Sequence, residues 1–145
     1  MATDPWGPGR PLRILLADDH PMVRQHVRTI LEEAGFEVAG EAPDGRKAVR
    51  LARRLRPDLV ILDVSMPALN GFAAAEAILR HAPQTRVILL TVHAEPAYVL
   101  RAIQSGIRGY VVKGQLPDDL LAAIHEVARG RTYQSPTLAE IAVPV

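Results

Sequence analysis

Short apolar runs alternate along the chain with longer segments whose apolar residues recur at helical spacing. In the longer segments the apolar residues are three or four positions apart, which predicts helices. Proline near their starts and glycine or proline near their ends predict where these helices begin and stop. The short runs are rich in Val, Ile and Leu and predict strands at residues 13–17, 36–40, 59–63, 87–91 and 109–113. The pattern therefore predicts five strands that alternate with five helices.

Most of the strand runs are continuously apolar, whereas a strand with one solvated face would alternate apolar and polar residues. Continuous runs are typical of strands that are buried on both faces of a parallel sheet. The strict alternation of strand and helix predicts right-handed strand–helix–strand units. The fold class that follows is α/β, with a doubly wound parallel sheet.

The 145 residues are enough for about one domain with its own core. Residues 1–11 are rich in glycine and proline and predict a mobile N-terminal tail. The alternating pattern predicts a single domain over residues 12–131. Residues 132–145 lie beyond the last predicted helix, and we expect them to be the start of a linker.

The composition excludes several classes of function. The chain has no cysteine, which excludes disulfide scaffolds, cysteine zinc sites, iron–sulfur clusters and thiol catalysis. The net charge of +1 does not indicate a chain that wraps nucleic acid or coats an anionic membrane. No apolar run approaches the roughly 20 residues that cross a bilayer, and the N-terminus lacks the pattern of a secretory signal. We therefore expect a cytoplasmic protein without a membrane partner.

Polar side chains stand where four of the buried-type strands end. They are Asp18, Asp19, Asp63, Thr91 and Lys113. In an open α/β sheet, ligands bind outside the carboxyl ends of the strands, so we expect these side chains to converge. Each residue alone also has a structural explanation, such as a helix cap, a turn or a solvated strand end. Their joint placement is what indicates a site.

The predicted cluster has the chemistry of a metal-assisted phosphoryl site. Three neighbouring carboxylates repel one another unless a cation lies among them, and a set of oxygen ligands favours Mg²⁺. Lys113 is one of only two lysines among 17 basic residues, and a compact ammonium suits a small anion. A hydroxyl and an ammonium beside a carboxylate fit a phosphoryl group, with one carboxylate available as the nucleophile.

Four segments carry a family resemblance in their order and spacing: Leu15–His20, Leu62–Gly71, Leu90–Val92 and Gly109–Lys113. Together they resemble the receiver domain of two-component response regulators, over about residues 12–136. The resemblance implies a flavodoxin-like fold with strand order 2-1-3-4-5. It also implies a signalling domain that catalyses only its own phosphoryl transfer and dephosphorylation.

The resemblance assigns the acidic residues. Asp63 resembles the phosphoacceptor. Asp19 and Asp63 would bind Mg²⁺ directly, together with the backbone carbonyl of Ser65, and Asp18 would act partly through water.

The resemblance also assigns a switch. Lys113 would pair with one phosphoryl oxygen, and Thr91 would form a hydrogen bond with another. Tyr110 would change its rotamer in response, so that local electrostatics bias a two-state element.

Segments 105–110, 117–124 and 130–136 resemble the receivers that precede a LuxR-type helix-turn-helix, the NarL/FixJ-like group. This implies a sensor histidine kinase as the donor and control of transcription as the output. DNA would be contacted only through a C-terminal domain that these 145 residues do not include. It also implies a phosphorylation-enhanced homodimer through the first and fifth helices. Basic residues of the first helix, such as Arg24, would meet acidic residues at the start of the fifth, such as Asp119, across a two-fold axis. The alternative surface is the face of the fourth helix, fifth strand and fifth helix near Tyr110.

Two alternatives stay open at this point. A haloacid-dehalogenase-like phosphatase also uses an aspartyl phosphate, but its nucleophile is on the first strand and its second aspartate follows two residues later. A pseudo-receiver that is never phosphorylated has usually lost an acidic residue or the lysine. Gly114 follows Lys113 where many receivers have proline, which leaves the isomer of that peptide bond open.

Overall fold

The computed structural model describes residues 10–92 and 95–135, so most of the predicted tail and residues 136–145 of the predicted linker lie outside the described residues. Its strands are β1 (Arg13–Ala17), β2 (Glu37–Ala42), β3 (Leu59–Asp63), β4 (Arg86–Thr91), β5 (Gly109–Val112) and β6 (Tyr133–Gln134). Its helices are α1 (Pro21–Glu33), α2 (Gly45–Leu55), α3 (Gly71–His81), α4 (Pro96–Gln104) and α5 (Asp118–Ala128). The predicted alternation is confirmed.

All strand pairs are parallel, and the strand order is β2-β1-β3-β4-β5-β6. The predicted fold class and the order 2-1-3-4-5 are therefore confirmed, with one short strand added at the β5 edge. The chain winds outward from β1 in one direction to β2 and in the other to β3. The winding therefore reverses between β1 and β3, where a doubly wound sheet forms its binding crevice.

The core forms one layer on each face of the sheet. On one face, α1 and α5 bury Leu31, Leu120 and Ile124 against strand residues such as Leu16 and Ile61. On the other face, α2, α3 and α4 pack their apolar sides against the alternate strand residues. Because β1, β3 and β4 are covered on both faces, their sequences are apolar at nearly every position.

Helix starts follow local capping rules. Asp44 accepts a hydrogen bond from the backbone N–H of Lys47, and Asn70 accepts one from Ala73, which begins α2 and α3. Gly71 opens α3 directly against β3, where a Cβ atom would lie 2.4 Å from the carbonyl oxygen of Asp63. Only glycine allows the loop after β3 to pack this closely on its own strand.

The strand β6 lies in the segment that the sequence predicts to be the start of a linker. It pairs with Gly109 and Tyr110 at the edge of the sheet. Ser135 is buried, donates its N–H to the Tyr110 carbonyl at 3.0 Å, and accepts from the Val112 N–H at 3.0 Å. The chain therefore stays attached to the sheet as far as residue 135.

Residues 113–117 differ from a plain strand end. Lys113 begins a short 3₁₀ turn, Lys113–Gln115, instead of ending β5. The Lys113–Gly114 peptide bond is trans, and the cis bond in this stretch joins Leu116 to Pro117. In the described part of the chain, no helix combines the length and apolar character that a bilayer crossing needs.

Candidate functional site

The central strands place two aspartates side by side at the winding reversal. Ala17 of β1 is in register with Leu62 of β3, so Asp18 and Asp63 follow at the same level of the sheet. Both carboxylates are buried, with residue exposures of 0% and 3%. The convergence that the sequence predicts at the carboxyl edge is therefore present.

Four side chains surround one point at this edge. One ligand atom each from Asp18, Asp19, His20 and Asp63 can be chosen so that all lie within 4.8 Å of one another. Sequence reasoning assigned His20 no part in a metal site, yet its Nδ1 lies 3.0 Å from Asp19 Oδ1. The signal that could have found His20 is its place directly after the aspartate pair, at the first residue before α1.

Lys113 closes the acidic cluster from the short 3₁₀ turn that follows β5. Its Nζ lies 2.9 Å from Asp18 Oδ2 and 3.2 Å from Asp63 Oδ1, and its side chain is only 12% exposed. The other oxygen of Asp18 accepts the His20 N–H at 2.8 Å. One ammonium therefore offsets two buried carboxylates, and the cluster keeps an excess of negative charge.

The two oxygens of the Asp63 carboxylate have different surroundings. Its Oδ1 faces Lys113 and accepts the Ser65 N–H at 3.3 Å. Its Oδ2 is buried and accepts no hydrogen bond from any described residue. Burial raises the pKa of Asp63; Lys113 opposes this rise, and the charge of Asp18 adds to it.

The predicted switch pair is also brought together. Thr91 ends β4, and Tyr110 lies on the adjacent strand β5; both are buried. Burial raises the pKa of Tyr110 to about 12, and the neighbouring Thr91 side chain partly opposes that rise. Tyr110 is therefore a neutral phenol packed next to a residue of the site.

The residues present fit a hard divalent cation. The donors are carboxylate oxygens with one imidazole nearby, and the buried Oδ2 of Asp63 lacks a partner that a cation or phosphoryl group would supply. The Ser65 N–H points to the Asp63 carboxylate, while a ligand role for the Ser65 carbonyl stays a prediction.

The two charges that were expected to meet across a dimer axis are engaged within the chain. Arg24 donates to the Asp18 carbonyl oxygen at 2.6 Å and pairs with Glu41 at 3.2 Å. Asp119 accepts the Tyr133 hydroxyl at 3.0 Å. Both side chains therefore have partners within the chain, and their contact across a dimer axis stays a prediction.

The sequence matches the family described as the response regulator receiver domain over residues 14–125. It is 38% identical over 130 residues to the response regulator UvrY of Escherichia coli strain K12. It is 36% identical over 130 residues to the response regulator GacA of Pseudomonas aeruginosa. These matches cover 89% of this chain but only 60% and 61% of the two relatives.

The solved structures that superpose well on this chain include response regulators. A LuxR-family response regulator from Aurantimonas superposes with a TM-score of 0.86 at 36% identity, over 90% of this chain and 94% of the other. The isolated receiver domain of RcsB from Salmonella enterica serovar Typhimurium, with the phosphomimetic BeF3⁻, gives 0.85 at 28% identity. That match covers 92% of this chain and all of the RcsB chain. RcsB has also been solved as dimers bound to DNA.

Proposed function

Because the chain belongs to the response regulator receiver domain family of two-component signalling, we propose that Asp63 is its phosphoacceptor. The observation that carries this assignment is the buried Oδ2 of Asp63, which has no hydrogen-bond partner among the described residues. The neighbouring Lys113 supplies the positive charge that a phosphoryl group needs. Asp18 and Asp19 complete the acidic set around the acceptor.

The proposed donor is the phosphohistidine of a sensor histidine kinase. An oxygen of the ionised Asp63 carboxylate attacks phosphorus and forms an acyl phosphate P–O bond. The P–N bond to the imidazole breaks, and its electron pair stays on the imidazole nitrogen. The domain returns to its first state when water hydrolyses the acyl phosphate, which regenerates the carboxylate and releases phosphate.

Asp18, Asp19 and Asp63 would hold Mg²⁺, with the Ser65 carbonyl as a further ligand. When bound, Mg²⁺ would neutralise charge on the phosphoryl oxygens and orient them at the acceptor. Lys113 lowers the pKa of Asp63 against the effect of burial, because its ammonium lies 3.2 Å from the carboxylate. The same ammonium would then pair with a phosphoryl oxygen.

Thr91 and Tyr110 would transmit the new charge. Thr91 would form a hydrogen bond with a phosphoryl oxygen, which would change how it packs against Tyr110. Tyr110 lies on β5 directly beside the strand β6. The rearrangement would therefore reach β6 and Ser135, at the end of the described residues.

We propose that the whole regulator controls transcription from the cytoplasm. The chain spans about three fifths of its curated relatives, 60% and 61% of UvrY and GacA, which leaves room there for an output domain. On this proposal the receiver predicted over residues 12–131 extends through β6 to Ser135, and the rest of the predicted linker, residues 136–145, would lead toward a helix-turn-helix domain. Any DNA contact would come from that domain rather than from the receiver.

A homodimer through α1 and α5 stays part of the proposal, and a contact at Met22 is added to the expected contact of Arg24 with Asp119. The two helices share one face of the sheet, and Phe36 after α1 lies 6.1 Å from His125 of α5 between ring centroids. Met22 is 85% exposed on α1 and offers an apolar contact. Sedimentation with and without a beryllofluoride mimic tests this surface: Met22→Glu should abolish the mimic-induced dimer, and an intact dimer would exclude α1.

The phosphoacceptor assignment is tested by intact-mass measurement after incubation with a small phosphodonor. The protein should gain one phosphoryl group with Mg²⁺ and none with a chelator. Asp63→Asn should gain none, and Asp63→Glu should not restore turnover. A wild-type chain that never gains mass would identify a pseudo-receiver. A single phosphoryl group on Asp63→Asn at the wild-type rate would place the acceptor elsewhere.

A further inference from the structure

The backbone of Asp18 is held from two elements at once. Its N–H donates to the carbonyl oxygen of Ala42, at the end of β2, over 3.0 Å. Its carbonyl oxygen accepts from the Arg24 guanidinium of α1 over 2.6 Å. Asp18 lies just after β1, where the strand ladder no longer supplies partners for its carbonyl. A side chain therefore takes over where secondary structure stops.

The carbonyl that Arg24 holds belongs to the peptide group between Asp18 and Asp19. Since a peptide group is planar, a hydrogen bond to its oxygen sets the plane of the whole unit and thus the direction in which Asp19 departs. Among the described residues, His20 is the only ion-pair partner of the Asp19 carboxylate. The position of Asp19 therefore depends largely on its backbone.

Arg24 is itself anchored. Its Nε lies 3.2 Å from a carboxylate oxygen of Glu41 on β2, and the other oxygen of Glu41 contacts Arg28. The Arg24 side chain is only 20% exposed. Glu41 also offsets the charge of Arg24, so the guanidinium can approach the acidic cluster without strongly opposing a bound cation. Residues of α1 and β2 thereby hold the Asp18 backbone directly after β1.

From this geometry we infer that Arg24, held by Glu41, is a positioning residue for the metal site. It sets the Asp18–Asp19 peptide so that the Asp19 carboxylate faces Asp63. The inference rests on the proposed function, because it assigns Arg24 a role in the Mg²⁺ site of that function. Arg24 touches neither the phosphoacceptor nor Lys113 and is therefore not a catalytic residue.

The test measures Mg²⁺ affinity by calorimetry in wild type, Arg24→Gln and Arg24→Lys. Positioning predicts that Arg24→Gln weakens affinity by about tenfold, the usual cost of losing a residue that orients a metal ligand. Arg24→Lys keeps a donor but loses the planar fork and should fall between the two. Simple charge repulsion predicts the opposite sign, because removing a cation would tighten Mg²⁺ binding; that result would overturn the inference.

Arg28→Gln is the matched control. Arg28 shares Glu41 and carries the same charge, but no hydrogen bond joins it to Asp18 in the described structure. The Mg²⁺ affinity of the Arg28→Gln variant should equal that of wild type. Equal weakening in Arg28→Gln and Arg24→Gln would mean that the contacts both residues make with Glu41, rather than the contact of Arg24 with Asp18, set the affinity, and the inference would fail.

The effect of Arg24 on the Asp18–Asp19 peptide can also be measured without Mg²⁺. The backbone amide resonance of Asp19 reports the hydrogen bond on the preceding carbonyl, so Arg24→Gln should shift it and Arg28→Gln should not. Thermal unfolding verifies that each variant is folded. A variant Arg24→Gln that melts earlier but binds Mg²⁺ like wild type would assign Arg24 a structural role only. A wild-type chain that binds no Mg²⁺ would instead contradict the proposed function.

Discussion

One strand carries an aspartate at each end, and the two have opposite environments. Asp58 precedes β3, where Arg10 binds both of its oxygens at 2.9 and 3.0 Å and the Arg13 N–H donates at 2.8 Å. Burial opposes its ionisation, but these donors outweigh burial, and the pKa of Asp58 is lowered. Asp63 ends β3, where burial prevails and its pKa is raised.

The difference shows how position in an α/β sheet decides the use of a side chain. At the amino end of β3, both oxygens of Asp58 accept hydrogen bonds from charged or backbone donors, so that carboxylate stabilises the fold. At the carboxyl end, Asp63 keeps one buried oxygen without a partner. An incompletely satisfied carboxylate costs stability and is available for a ligand, as is common at functional sites.

The largest expected contrast is in cation binding. Asp63→Asn should weaken Mg²⁺ affinity by at least about tenfold, because it removes a charged ligand from the cluster. Asp58→Asn should leave the affinity unchanged, since it lies at the other end of the strand. Calorimetric titration of the two variants measures this. Comparable losses in both would contradict the separation of roles along β3.

The next contrast uses the only two lysines of the chain. Lys113→Arg should slow phosphoryl acceptance by at least about tenfold, because a wide guanidinium does not reproduce an ammonium between Asp18 and Asp63. Lys47→Arg is the matched control, since Lys47 is exposed on α2. The rate of phosphoryl acceptance is measured from the intact mass of the protein as a function of time after a small phosphodonor is added. An unimpaired Lys113→Arg variant would show that any cation suffices at this position.

The stability effects of the two aspartates should have opposite signs. Asp58→Asn should lower the free energy of unfolding by about 1–2 kcal/mol, because it weakens charge-assisted hydrogen bonds in a partly exposed site. Asp63→Asn should raise it by about 1 kcal/mol in metal-free buffer, because it removes a desolvated charge. Urea unfolding with a chelator present measures both. Destabilisation by Asp63→Asn would mean that its ion pair with Lys113 outweighs its burial.

The smallest contrast is in the pH dependence of stability. The lowered pKa of Asp58 contributes stability above its unfolded value of 3.8, and this is lost as the pH falls through the folded value. The raised pKa of Asp63 has the opposite effect, so stability declines as the pH rises from 3.8 through the folded value. Unfolding curves at several pH values give the free energy of unfolding as a function of pH. In Asp58→Asn this free energy should fall less steeply as the pH is lowered through the acidic range. In Asp63→Asn it should no longer decline as the pH rises above 3.8. Parallel curves for all three proteins would refute both assignments.

Much of the acidic site was predictable because its members are marked by local sequence. Asp63 and Thr91 follow buried apolar runs, and the carboxyl ends of parallel strands meet at one edge. Arg24 and His20 were not predicted in their observed roles. Nothing within a few residues of Arg24 shows that its guanidinium reaches the Asp18 carbonyl or that Glu41, 17 positions later, anchors it.

The sequence by itself determined the alternation of strands and helices, the class of fold and the residue types at the carboxyl edge. These follow from periodicity and capping, which act over a few residues. Only the tertiary structure decided that Tyr133 and Gln134 form a sixth strand, because two residues carry no periodic signal and pairing with β5 creates the strand. It also decided that Asp58 is satisfied while Asp63 is not. That difference depends on donors that lie far away in the chain and become neighbours only when the sheet forms.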